Sequence, residues 1–216
     1  YQTKSQSEID RLVGLGLNDE SFYPLEEMHR KSYFSKSNYS NVNVALNVKV
    51  IEGLDVDLRY QLEKNNSLVQ NYYAPQSYTL RNQINNSSIV NADGSIKHLI
   101  PEGGYIDETR SDKNSYTLRA QINFNRTFDE KHEVSAIAGG ERRAVHSTST
   151  YVEKYGYDKV SLAHKYLDEA TLNQTQQGTE AINNSYTHVP NGYPDTFGDK
   201  EDRYVSFYGN ASYTYD

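Results

Sequence analysis

Few side chains in this sequence have types and spacings suited to chemistry. His132-Glu133, within "KHEVSA", starts like a zinc-binding helix, but no second His stands at the required spacing. The six His lie far apart, whereas metal sites need ligand clusters. No serine-nucleophile elbow, dinucleotide fingerprint or phosphate loop occurs either. The chain is therefore read as a non-enzyme, with no catalytic residue, metal ligand or cofactor assigned. "DTFGDKED", Asp195 to Asp202, gathers four acids. Calcium takes carboxylate oxygens, but this spacing fits no standard calcium loop, and a solvated acidic loop is the preferred reading. "NADGS", Asn91 to Ser95, reads as a tight turn.

Tyrosine is the abundant functional side chain, with 20 Tyr against 6 Phe and no Trp. A phenol joins an apolar ring to a polar tip and suits boundaries between wet and dry regions. Tyr72, Tyr73, Tyr105, Tyr155 and Tyr157 fall in predicted loops, where they are candidates for stacking on a sugar or packing on a peptide. Loop-on-loop packing, or an interfacial aromatic girdle, accounts for them as well. Tyr213, Tyr215, Phe124 and Phe128 lie near the short-turn ends of strands and read as such a girdle. Asp55, Asp57, Arg59 and Arg119 sit on strands, as the lining of a translocation path or as a plain hydrated wall.

Strands must position these groups. In "NVNVALNVKVIEGLDVDLRYQLE", Val42, Val44, Leu46, Val48 and Val50 fall on one face and Asn41, Asn43, Ala45, Asn47 and Lys49 on the other. Glu52-Gly53 reverses the chain. Val56, Leu58, Tyr60 and Leu62 then alternate with Asp55, Asp57, Arg59, Gln61 and Glu63. The same pattern returns at Tyr116, Leu118, Ala120, Ile122 and Phe124. A turn follows at Asp129-Glu130-Lys131, then a weaker strand with Val134, Ala136 and Ala138 on one face and Ile137 on the other. "RYVSFYGNASYTYD" supplies the last run, with Val205, Phe207, Ala211, Tyr213 and Tyr215 together. Five strands are thus predicted, at 41–51, 54–65, 115–128, 133–147 and 202–216. Each amphipathic run is close to the roughly 9–11 residues that a tilted strand needs to cross a bilayer.

The predicted connections run short, long, short, long, which puts both long loops at one end of the sheet. Outer-membrane barrels have this asymmetry, whereas loops beyond about 15 residues are uncommon in compact soluble domains. Two loop segments carry helical signals: "SEIDRLVG", with Ser7 as cap and Gly14 as stop, and "SLAHKYLDEA", with Leu162 and Tyr166 at helical spacing.

Composition agrees with a boundary protein. The hydrophobic share is 36% with 13 Gly besides, short of the roughly 45–50% apolar content of globular domains. A net charge of -7 and scattered Lys and Arg argue against nucleic acid. Absence of Cys excludes disulfides and thiolate metal sites. No apolar run is long enough for a transmembrane helix.

Four segments, in order and spacing, resemble the mid-barrel region of SusC/RagA-type TonB-dependent outer-membrane transporters. They are "VKVIEGLDVDLRYQLE", "IKHLIPEGGYIDE", "NSYTLRAQINFNRTFDEKHEVSAIAGGERR" and "RYVSFYGNASYTYD". The resemblance covers roughly residues 40–216. It implies that residues 1–216 are a partial barrel segment, all-β, with antiparallel up-and-down strands and long extracellular loops carrying short helices. The plug domain and the remaining strands are expected outside this sequence. The implied function is import of nutrient oligomers, oligosaccharides or peptides, across the outer membrane of a Gram-negative bacterium. A SusD-like surface lipoprotein and the TonB complex are the implied partners. Val42, Val44, Leu46, Val48, Val56, Leu58, Leu118 and Ile122 are then expected to face lipid. The alternative is a soluble, surface-displayed β-sandwich that binds glycans, which requires a second protein layer over the same residues.

Overall fold

A computed structural model describes residues 4–172, 182 and 195–215. A five-stranded antiparallel sheet dominates it. The strands are β1 (Lys31–Ile51), β2 (Leu54–Tyr73), β5 (Gly104–Phe128), β6 (His132–Tyr157) and β7 (Thr196–Tyr215), in the spatial order β1-β2-β5-β6-β7. A small hairpin, β3 (Ser88–Val90) with β4 (Ile96–His98), interrupts the second connection. Helices α1 (Gln6–Gly14), α2 (Pro24–Arg30), α3 (Tyr78–Asn86) and α4 (Glu169–Leu172) complete the described elements. None of these helices is long and apolar enough to cross a membrane.

The strands are 20 to 26 residues long, well beyond their amphipathic runs. Polar residues stand on both faces of the extra length among its aromatics, so no clean alternation announces it. Cross-strand side-chain bonds decorate the ladder there: Asn71 Nδ2 donates to Asp107 Oδ1 at 2.8 Å, and Gln70 donates to Glu108. The acidic stretch expected as a loop at 195–202 is correspondingly strand from Thr196 on, part of β7.

The chain divides into two compact units. The first contains the described residues of Tyr1–Ser35, Leu68–Thr109 and Thr150–Thr196, and the second those of Lys36–Ser67, Arg110–Ser149 and Phe197–Asp216. All the helices and the small hairpin belong to the first unit, and both short turns belong to the second.

Both hydrophobic clusters lie in the first unit. Ser77 caps α3, its Oγ accepting from the Leu80 amide, and Leu80 and Ile84 one turn apart point inward. They pack with Ile100, Tyr155 and Leu172. A second cluster joins Leu12, Leu17 and Ile182. Glu20 is fully buried as well; Lys4 Nζ stands 2.9 Å from its carboxylate, and each carboxylate oxygen accepts a hydrogen bond, one from Asn82 and one from Asn85. Those bonds offset the cost of burying a carboxylate.

Helical signals were only partly legible. α1 is capped by Ser5, not Ser7: Ser5 Oγ accepts from the Glu8 amide, and the chain turns at Leu15-Gly16 rather than at Gly14. "SLAHKYLDEA" is not a helix over its first eight residues. Asp158 Oδ1 accepts from the amides of Val160 and Ser161, both at 2.8 Å, and Leu162 adopts a φ of 59°. A left-handed residue ends any right-handed helix, so only Glu169–Leu172 is helical.

In the second unit the two short turns reverse as their residues dictate. Gly53 has a φ of 84°, and Asp129 and Glu130 have φ of 48° and 57°, consecutive positive values of the kind primed hairpin turns use. A Cβ on Gly53 would stand 2.5 Å from the Asn125 carbonyl oxygen. Gly53→Ala is therefore expected to cost about 1–2 kcal/mol for the left-handed residue, with the collision added. A lowered urea midpoint of the purified full-length protein is the readout; an unchanged midpoint refutes this account of the turn.

Candidate functional site

The five tyrosines expected in loops lie on strands instead, Tyr72 and Tyr73 on β2, Tyr105 on β5 and Tyr155 and Tyr157 on β6, because the strands run on past their amphipathic stretches; they separate into two groups within the first unit. Tyr72 and Tyr73 are adjacent on β2, so the pleat sends their rings to opposite faces. Tyr73 packs on Tyr105, centroids 5.5 Å apart, and Tyr105 packs on Tyr155 at 4.7 Å. Tyr155 is 4% exposed and belongs to the core around Leu80 and Ile84. Burial pushes the Tyr105 and Tyr155 phenols above the ordinary tyrosine range, and the Glu153 charge adds to the effect. These rings stay neutral and serve packing, the bland role that sequence left open.

Tyr72 and Tyr157 form the other group, edge to face at 6.0 Å. With Phe34, Ile106, Lys159 and Leu162 they line a cavity of about 440 Å³. Lys159 Nζ lies 5.0 Å from the Tyr72 ring centroid. The volume falls in the roughly 300–1,000 Å³ range of small-molecule sites. Two aromatic faces and a cation beside them suit a flat or ringed group of a larger ligand. Tyr155 and Tyr157 would share a face in a regular strand. Gly156, with a φ of 62°, breaks the alternation and sends one ring to the core and the other to the cavity.

In the second unit the sheet is two-faced. On the polar side, hydrogen bonds run across strands. Asn47 Nδ2 donates to Asp57 Oδ1 at 2.7 Å, and Asn123 Nδ2 donates to Asp57 Oδ2 at 2.6 Å. Gln121 donates to Asn123, Tyr208 Oη donates to Gln121 Oε1 at 2.8 Å, and Arg119 Nε donates to Tyr208 Oη at 2.8 Å. Tyr208 on β7 reaches β5 because Gly139 on the intervening β6 has no side chain; a Cβ there would stand 2.4 Å from Tyr208 Oη. Phe207 covers Gly140 on the opposite face, where an added Cβ would meet the ring at 3.0 Å. The weak "AIAGGE" stretch is thus completed by the two aromatics of β7. Asp57 and Arg119 belong to this polar network.

On the other side, Val42, Val44, Leu46, Val48, Leu58, Leu118 and Ile122 are 40–59% exposed, and Val56 is half-buried. Every member of both hydrophobic clusters lies in the first unit, so no core among the described residues covers this face. Tyr213 and Tyr215 are exposed at the end of β7, with His132 Nδ1 2.7 Å from Tyr213 Oη.

The acids of 195–202 each have a side-chain partner, a Lys or Arg for three of them and an imidazole for Asp199. Asp195 pairs with Lys154 at 2.9 Å and Asp199 with His146 at 2.7 Å. Asp202 pairs with Lys200 at 3.0 Å and Glu201 with Arg203 at 2.8 Å.

No known family and no curated protein matches the sequence. Solved structures do match. This chain is similar in fold to a segment of a peptide importer. The RagAB peptide importer in its closed-closed state aligns with a TM-score of 0.58 and 16% identity, over 87% of this chain and 17% of that one. A second structure, of the RagAB peptide transporter, aligns with a TM-score of 0.57, again at 16% identity and over the same shares. The present sequence therefore spans 17% of the length of the chains it matches. The all-β, antiparallel fold read from the alternation is the observed one.

Proposed function

We propose that this chain is a barrel segment of a SusC/RagA-type transporter in the outer membrane of a Gram-negative bacterium, importing nutrient oligomers. One observation carries the reading: the sheet of the second unit leaves its Val and Leu face exposed while its opposite face is tied by polar side chains. A hydrocarbon layer satisfies the first face and a hydrated lumen the second. The β-sandwich alternative requires a second sheet over that face, and none of the described residues supplies one.

The matched structures are of a peptide importer, which favours peptides over oligosaccharides as cargo. The aromatic cavity of the first unit is the proposed contact for cargo, through Tyr72 and Tyr157. Tyr73, Tyr105 and Tyr155 support that surface from within. A SusD-like lipoprotein is the proposed capture partner. TonB, acting on the whole transporter, supplies the energy, so no reaction is assigned to this chain.

Fractionation tests the reading. The full-length protein, expressed in a Gram-negative host, is expected to sediment with the outer membrane and to resist sodium carbonate extraction. On an unboiled gel it should migrate differently from the heated sample. Release by carbonate would leave the soluble sandwich standing and remove the transporter.

A further inference from the structure

The polar face of the second unit holds a small pocket that the cargo-binding rings do not touch. Its volume is about 230 Å³, and Tyr39, Glu63, Asn65, Lys113, Ser115 and Arg143 line it. These residues come from β1, β2, β5 and β6, all at odd positions, the parity that carries the polar network on β1, β2 and β5.

The single carboxylate is already engaged. Tyr39 Oη donates to Glu63 Oε1 at 2.9 Å, and Ser115 Oγ donates to Glu63 Oε2 at 2.9 Å. Both hydroxyl protons are thereby spent inside the wall. Arg143 Nη2 stands 3.8 Å from Glu63 Oε2, an ion-pair distance too long for a hydrogen bond. Lys113 pairs with no carboxylate among the described residues. Asn65 spends its carbonyl oxygen on Ser37, leaving its amide protons. What the pocket presents is therefore a guanidinium, an ammonium and an amide, all donors. Its formal charge is +1, from Lys113, Arg143 and Glu63.

We infer that Lys113 and Arg143 form a subsite for a carboxylate at the end or side of the imported oligomer. A planar guanidinium matches a carboxylate in two parallel hydrogen bonds, and an ammonium adds a point charge. The pocket lies below the roughly 300 Å³ at which drug-sized sites begin, so it takes the end or one unit of the oligomer and not its length. The subsite rests on the transporter reading and narrows it, since cargo with an acidic group would be held over cargo without one. A peptide C-terminus and a uronic acid present the same chemistry.

Binding to the detergent-purified full-length transporter, measured by calorimetry, decides the matter. The probes are pentaalanine with a free carboxyl terminus, its C-terminal amide, tetragalacturonate and its methyl ester. One free acid is expected to bind at least about tenfold more tightly than its blocked form, about 1.4 kcal/mol. Which acid binds identifies the source. The double variant Lys113→Gln, Arg143→Gln is expected to bring that acid down to the blocked level. Equal binding of acid and blocked forms overturns the subsite, as does a double variant that keeps the preference, or no binding by any of the four. The wild-type comparison needs no variant to fold. Each failure leaves the carbonate experiment untouched, so loss of the subsite and loss of the transporter are told apart.

Discussion

Val48→Arg is expected to keep the full-length protein out of the outer membrane, and Asn47→Arg, one residue away, is expected to leave it there. Val48 alternates with Asn47 on β1, so the two substitutions place the same charge on opposite faces. Asn47 bonds Asp57, in the polar network, and an added cation there meets carboxylate and water. Val48 belongs to the exposed apolar face with Val42, Val44 and Leu46. Arg near the bilayer midplane of a lipid-facing strand costs roughly 2–4 kcal/mol, and less near the interfaces. Leu46→Arg should behave like Val48→Arg. Heat-modifiable mobility in isolated membranes measures assembly of each variant. Normal assembly of both Val48→Arg and Leu46→Arg would mean that hydrocarbon does not meet this face. A soluble sandwich also resists Val48→Arg, but it would show the defect as loss of folding in buffer, with no dependence on a membrane.

That contrast is available because period-2 alternation is a strong signal where one face is wet and the other dry. The hairpin from Asn41 to Glu63, its turn at Glu52-Gly53 and the turn at 129–131 could all be read from residue type. The signal fades where both faces are wet. Asp107, Glu108, Gln70 and Asn71 alternate nothing, yet their side chains bond across the ladder and the strands continue through them. For the same reason Asp195 to Asp202 looked like a loop. The expectation of a helix at 161–170 failed on local polar competition: the Asp158 carboxylate holds two amides that a helix would use. α3 was missed although Ser77, Leu80 and Ile84 spell a cap and an inward stripe. The pocket of Lys113 and Arg143 was illegible because its residues come from four strands whose mutual register no single run reveals.

The tyrosines carry the second large expectation, because the division between core and cavity is visible only in three dimensions. Tyr155→Ala is expected to destabilise the first unit by about 3–5 kcal/mol, the cost of emptying a buried aromatic site. Tyr155 is nearly inaccessible, meets Tyr105 at 4.7 Å and packs with Leu80, Ile84, Ile100 and Leu172. Its hydroxyl donates to nothing among the described residues, so Tyr155→Phe keeps the packing and is expected to be nearly neutral. Tyr157→Ala removes a ring from the open cavity instead, and little of the core depends on it. Hydrogen exchange read by mass spectrometry separates the three variants. In Tyr155→Ala the amides of α3, Tyr78–Asn86, should lose protection by a hundredfold or more where opening governs exchange, since every 1.4 kcal/mol is tenfold. In Tyr157→Ala and Tyr155→Phe those amides should exchange as in the parent. If Tyr157→Ala unprotects α3 as strongly as Tyr155→Ala, the two rings share one core, and the cavity loses its claim to be a surface kept free for cargo.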